Sequence, residues 1–198
     1  MGVTISNVKA VNGGLGIDVG GDYAVVTDSE ASYNVDVAGI SFSRGNNNTV
    51  LRTIANNNGR DGIVFHGDFL SGNNNTVVDS QANGNASGGM LFTGFNTFNT
   101  VSNSQANGNG GDGIIAGSLP DFGATISDSE TNNNVGAGIR ALGANNLLTH
   151  NTAKGNASDG IVVVCPSNLY GNTATGKTGG NIVTSGSGCA FLGNTPAP

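Results

Sequence analysis

A parallel β-solenoid of about eight coils is the fold that the sequence predicts, and three observations predict it. Residues 46–65, "NNNTVLRTIANNNGRDGIVF", recur as "NNNTVVDSQANGNASGGMLF" at 73–92 and as "TFNTVSNSQANGNGGDGIIA" at 97–116. Apolar and asparagine positions in these segments line up in columns, with a period of 21–27 residues. The composition suits strands and bends: only 10% of the 198 residues are charged, 34 are glycine and none is tryptophan. Runs of the strong helix formers are missing, while 36% apolar residues at regular spacing separate the chain from a disordered one.

Each column has a physical role. The anchor column follows the Asn-Thr motif: Val26, Val50, Val77, Val101, Ile126, Leu148 and Leu169. Five residues on stand Ala31, Ala55, Ala82, Ala106, Thr131, Ala153 and Ala174. Thirteen on stand Ile63, Met90, Ile114, Ile139, Ile161 and Ile182, with Ile40 displaced by one. These residues point inward and stack, because strands of neighbouring coils pair at ~4.8 Å. Ile5, Ala10 and Ile17 form a weaker first copy.

The bends come next. Eight residues after the anchor stand Asn34, Asn58, Asn85, Asn109, Asn134 and Asn156, until Lys177 ends the series. Asparagine tolerates a left-handed backbone and can bond the next rung, so this column is expected to be a structural ladder at a bend. A second polar column, Ser29, Thr53, Ser80, Ser104, Ser129, Asn151 and Asn172, marks another bend. Glycines just before the Ile column let the chain turn into its next strand.

The Asn-Thr-Val, Asn and Gly-Ile spacing resembles the right-handed parallel β-helix repeat, the pectate-lyase-like superfamily, from about Val3 to Val183. Pectate lyases, polygalacturonases, alginate epimerases and phage tailspikes share that repeat. The resemblance implies an all-β, single-stranded right-handed parallel β-helix of about eight coils. One domain is expected over 1–198, with a C-terminal cap at about 184–198. It also implies that a polysaccharide would lie in the groove beside the longest loops, and that catalytic acids and bases would stand on the strand next to them. The fold hosts many functions, so it names no activity.

From Val50 onward length varies in one place only, between the Ile column and the next anchor. There the inserts are "HGDFLSG" (66–72), "TGFNTF" (93–98), "GSLPDF" (117–122) and the shorter "LGA" (142–144). Loops on a rigid scaffold are where binding is grafted. The ligand-binding candidates are therefore His66, Asp68, Phe69, Phe95, Phe98, Asp121 and Phe122. Two readings of the rings are open: a platform for sugar rings, or a cover folded over apolar surface.

Catalytic chemistry is hard to find. The residue after each Ile-column position should face outward, and this set is Val64, Leu91, Ile115, Arg140, Val162 and Val183. Glycoside hydrolysis needs two carboxylates at a defined separation. Asp68 and Asp121 lie two coils apart, roughly 10 Å. Asp61, Asp112 and Asp159 share a column and read as bend residues that bond backbone amides. Asp28, Arg52, Asp79, Asn103, Asp128 and His150 read as a surface charge ladder, in which each exposed pair contributes little. The Asp-Pro-His of alginate epimerases and the paired aspartates of polygalacturonases have no counterpart. No catalytic residue, no metal and no cofactor is assigned.

The net charge of −6 and the scattered Lys and Arg speak against nucleic acid. No apolar run has the length of a membrane span. Cys165 and Cys189 are 24 residues apart, close to one coil, and are expected to form a disulfide that staples the last coil. The alternative is two buried thiols. An extracellular or periplasmic location follows from a disulfide. Self-association is open through an uncapped N-terminal coil or the apolar outer stripe. The expected function is a non-catalytic module that binds or organises polysaccharide. The alternatives are a polysaccharide lyase, hydrolase or epimerase, and a structural spacer or a fibre or tailspike segment.

Overall fold

The computed structural model describes residues 2–67, 72–117 and 123–196. Three parallel sheets run along the stack. Sheet I has nine strands, from Thr4–Ser6 and Val25–Thr27 through Thr49–Leu51, Thr76–Val78 and Thr100–Ser102 to Ala190–Leu192. Sheet III has eight, from Ile17–Gly20, Ile40–Ser43, Ile63–His66 and Met90–Thr93 to Ile182–Ser185. Sheet II is three-stranded near the C-terminus (Thr152–Asn156, Thr173–Gly176, Thr195–Pro196). Towards the N-terminus it thins to single bridges, Lys9–Glu30–Ile54–Gln81–Gln105–Glu130–Thr152.

Register follows the columns. Val50 pairs with Val77, Val77 with Val101, and Val101 with Ile126. Ile63 pairs with Met90, and Met90 with Ile114. The anchor, Ala and Ile columns form one buried core. Burying each aliphatic side chain stabilises the coil by about 1.5–3 kcal/mol.

Inside the N-terminal half a further column carries aromatics. Phe42, Phe65 and Phe92, two residues after the Ile column, stack with ring centroids 4.5 and 4.9 Å apart. All three are fully buried. Ala116, Ala141 and Val163 take their place in later coils.

The asparagine ladder is buried and continuous. Asn34, Asn58, Asn85, Asn109 and Asn134 each donate Nδ2–H to the Oδ1 of the next, at 3.0–3.2 Å, ending at Asn156. The same oxygens accept the backbone N–H of the preceding ladder residue at 2.9–3.0 Å. The ladder asparagines do not themselves take the left-handed conformation expected of them. That conformation sits one residue earlier: Tyr33, Asn57, Gly84, Gly108, Asn133 and Gly155 have φ between 56° and 67°. The turn is made there, and the asparagine that follows is free to aim inward.

The second bend works in the same way. Ser80 Oγ accepts the Thr53 N–H at 3.1 Å, and Ser104 Oγ the Ser80 N–H at 3.2 Å. The left-handed residues before this column are Asp28, Arg52, Asp79, Asn103, Asp128 and His150. Asp, Asn and His are the non-glycine types most at ease there. Their recurrence is therefore mainly a backbone requirement, and the charge ladder is secondary to it.

Cys165 and Cys189 are disulfide-bonded, with Cα atoms 5.0 Å apart. The bond ties the strand Ile161–Val164 region to the last coil, where Phe191 and Leu192 are exposed. Among the described residues no helix is long and apolar enough to cross a membrane.

Candidate functional site

The candidate site is the outer face of sheet III with the long-loop turn that leads from it into sheet I. In the first coils the outward residues of sheet III are polar. Asp18 pairs in register with Ser41, and Gly20 with Ser43. Ser41 pairs in turn with Val64, and Ser43 with His66. Asp18, Ser41, Ser43 and His66 line a cleft of about 330 Å³, walled by Leu15, Gly16, Val37 and Ala38. Asp18 and Ser41 were not singled out from the sequence, because Asp18 lies in the weak first copy and Ser41 in the copy whose Ile column is displaced by one. The register of Ile17 with Ile40 is the signal that places them.

His66 ends its strand and is exposed. Its Nδ1 lies 3.3 Å from the Thr93 hydroxyl on the next coil. The turn beyond it is tight. Gly67 N–H bonds Thr93 O at 2.7 Å, and Asn96 Nδ2 reaches the same oxygen at 2.5 Å. A side chain at Gly67 would collide with the Phe95 carbonyl at 2.5 Å, so close stacking of these loops needs glycine there. Asn96 is buried, and its Oδ1 has no hydrogen-bond partner among the described residues.

The aromatics separate. Phe95 is half-buried on this turn, and Phe98 is 61% exposed. The Phe98 ring lies over Gly123 of the next coil: a Cβ there would be 2.7 Å from the ring. The structure thus brings His66 and Phe95 to adjacent coils and sets Phe98 further round the turn. Asp68, Phe69, Asp121 and Phe122 lie outside the described residues.

The aliphatic outer stripe is present, in graded cover. Val64 is buried at 3% exposure, Leu91, Ile115 and Val162 are half-buried, and Val183 is exposed. Arg140, the one cation in the stripe, is held by Asp112 at 3.0 Å. Asp112 also accepts the Ala137 N–H at 2.6 Å. Its column mates act alike: Asp61 accepts from Gly88 N–H at 2.9 Å, and Asp159 from Gly180 N–H at 2.7 Å. These carboxylates fasten each coil to the next.

On the far bend, Arg52 bonds Asp28 through Nε at 2.6 Å and through a terminal nitrogen at 2.8 Å. That guanidinium, helped by the Thr27 hydroxyl, holds the Asp28 carboxyl at about 2. The His150–Asp128 contact is a looser 3.8 Å. Among the described residues no three His, Cys, Asp or Glu side chains converge as a metal site.

Residues 1–121 match the family model described as "Right handed beta helix region". No curated protein sequence matches the chain. Solved structures align over nearly its whole length. A variant of the periplasmic alginate epimerase AlgG has a TM-score of 0.78 at 15% identity, covering 98% of this chain and 49% of that one. The A-module of the Azotobacter vinelandii mannuronan C-5 epimerase AlgE6 gives 0.72 at 19%, covering 98% and 58%. Pectate lyase Pel9A gives 0.62 at 18%, covering 87% and 55%. The chain spans about half the length of these structures. At such identities the likeness concerns the fold. With a family model matching more than half of its residues, and a stack of parallel coils that fits it, the chain belongs to the right-handed β-helix family.

Proposed function

We propose that the chain is a non-catalytic β-helix module that binds or organises polysaccharide outside the cytoplasm. The observation that carries this reading is the polar cleft of Asp18, Ser41, Ser43 and His66 beside a turn bearing exposed and half-buried phenylalanines. Concave sites with a few placed polar groups and aromatic walls are the usual form of a small-molecule or glycan site. The names of the similar structures, which state alginate, mannuronan and pectate chemistry, support a polysaccharide in general as the ligand. The disulfide supports an oxidising compartment. Further along sheet III the outer face is aliphatic, and Arg140 with Asp112 is committed to fastening neighbouring coils.

One observation favours an enzyme as the second reading: Asp18 and His66 share a cleft. They stand two coils apart, roughly 10 Å along the axis, with the serines between them. The test is glycan-array binding together with release assays on uronic-acid polymers. Binding without release supports the module. Release that disappears in Asp18→Ala or His66→Ala supports the enzyme. Phe95→Ala combined with Asp121→Ala is expected to abolish binding with an unchanged melting temperature. Retained binding would place the site elsewhere.

A further inference from the structure

The bend that feeds sheet I holds one left-handed residue per coil. Going up the stack these begin with Tyr23, Asn47, Asn74 and Phe98, with φ of 59°, 59°, 55° and 55°, and continue with Gly123 and Asn145. Asparagine is ordinary at such a position, but a bulky aromatic is an outlier that costs conformational energy. Tyr23 and Phe98 are each 61% exposed, so burial does not offset that cost. Tyr33, before the asparagine ladder, is a third exposed left-handed aromatic, so what sets Tyr23 and Phe98 apart is that two such rings share one column with asparagines between them, an arrangement suited to a ligand site.

We propose that Tyr23, Asn47, Asn74 and Phe98 form a binding strip for an extended, uncharged polysaccharide chain lying parallel to the solenoid axis. The proposal rests on the polysaccharide-binding reading above and narrows it to named residues and a ligand class. Backbone bonds set the order of the strip: Tyr23 N–H to Asn46 O, Asn47 N–H to Asn73 O, and Asn74 N–H to Thr97 O, at 2.9–3.0 Å. The two rings are three rungs apart, roughly 14 Å. A 1,4-linked glycan in its extended form advances by a similar distance per sugar as the solenoid does per rung. Successive sugars therefore meet ring, amide, amide and ring. The rings suit the C–H faces of pyranoses, and the amides suit their hydroxyls. The carboxamides of Asn47 and Asn74 have no partner among the described residues.

The strip is rigid before any ligand arrives. On one side Asp22 accepts from Asn46 N–H at 2.7 Å, Asn46 from Asn73 N–H at 3.0 Å, and Asn73 from Thr97 N–H at 3.1 Å. On the other side lie buried Asn48, Asn75 and Asn99, linked to each other and to Ala24 N–H at 2.7–2.9 Å. Preorganisation of this kind lowers the ordering cost of binding.

Charge selects the ligand. Among the described residues no Lys or Arg stands in the strip or in its two flanking columns, and Asp22 is their one ionised group. With a net charge of −6 as well, the surface disfavours uronate chains and nucleic acid alike. An added peptide strand would need free backbone groups, and those along this bend are already paired from coil to coil.

Calorimetric titration tests the strip, with cellohexaose, xylohexaose and mannohexaose as neutral probes. Hexamannuronate, hexagalacturonate and the matching neutral trisaccharides serve as comparators. A neutral hexasaccharide is expected to bind, with its trisaccharide about tenfold weaker because it spans only one ring. Tyr23→Asn and Phe98→Asn should each weaken the hexasaccharide by about tenfold, and the double variant should abolish binding. Melting temperatures should stay level or rise, since Asn is at ease at left-handed φ. A neutral hexasaccharide bound equally well by the double variant overturns the strip. So does binding of the uronate hexamers alone, although polysaccharide binding itself then survives. No binding by any probe overturns both.

Discussion

Asn109 and Asn134 share one oxygen: Asn134 Oδ1 accepts both the Nδ2–H of Asn109, at 3.0 Å, and its backbone N–H, at 2.9 Å. Asn109 in turn serves Asn85 in the same way, so the link passes along the stack. Replacing Asn109 with Leu leaves the Asn85 N–H and Nδ2 buried without an acceptor. A loss of about 2–6 kcal/mol is expected, at ~1–3 kcal/mol for each of the two orphaned groups. Chemical denaturation measures it, and an unshifted midpoint contradicts the ladder.

The strain belongs one residue earlier. Gly108 has φ +65°, and a Cβ there would meet nothing within 4 Å. Gly108→Asn should be nearly neutral, whereas Gly108→Val should cost about 1–2 kcal/mol through left-handed backbone alone. Equal stability of the two variants contradicts this division of roles.

Phe65 lies between Phe42 and Phe92 in the core. Phe65→Ala opens a cavity in the middle of the stack and should cost about 3–5 kcal/mol. A smaller loss, with Phe42 and Phe92 unmoved in a crystal structure, would mean that the rings are not packed as a unit.

The Cys165–Cys189 bond closes a 24-residue separation at the exposed end of the stack. Unreduced peptide mapping should recover the two cysteines joined. Replacing both with serine should lower stability by about 3 kcal/mol. The increase in amide exchange should be confined to the last coils, and uniform exchange along the chain contradicts a local staple.

Asp28 titrates at about 2 because Arg52 bonds its carboxylate. Its folded value is depressed below the ordinary 3.8. The pair therefore contributes stability above the ordinary value and loses it as pH falls towards 2. Both side chains are exposed, so the effect on unfolding is small. The direct readout is the carboxyl NMR titration: Arg52→Met should return Asp28 to the ordinary carboxylate range.

The core was legible in the sequence because inward positions of a stacked coil must repeat in size and polarity. Val50, Val77 and Val101 announce themselves, and so do Asn58, Asn85 and Asn109. Left-handed bend positions were not legible as such, because they select for backbone conformation and tolerate varied side chains. Asp28, Arg52 and His150 share one φ sign and little chemistry. Tyr23 was not legible for the same reason, among Asn47 and Asn74, and Phe98 was legible as a loop aromatic but not as a left-handed residue. Phe42, Phe65 and Phe92 stand two residues after the Ile column in only three coils, and Ala116, Ala141 and Val163 replace them later, so the column does not repeat in residue type along the chain. Of the loop candidates, His66, Phe95 and Phe98 occupy the long-loop turn, and the cleft residues Asp18 and Ser41 had to be found through register.

Amide chemical-shift mapping, with the glycan that binds most tightly on the array, tests most directly whether the long-loop face is the binding surface. Shifts are expected at Ser43, His66, Thr93 and Asn96, and along Asn47, Asn74 and Phe98, with the far bend silent. Shifts centred instead on Asp28, Arg52 and Gln81 would contradict that assignment.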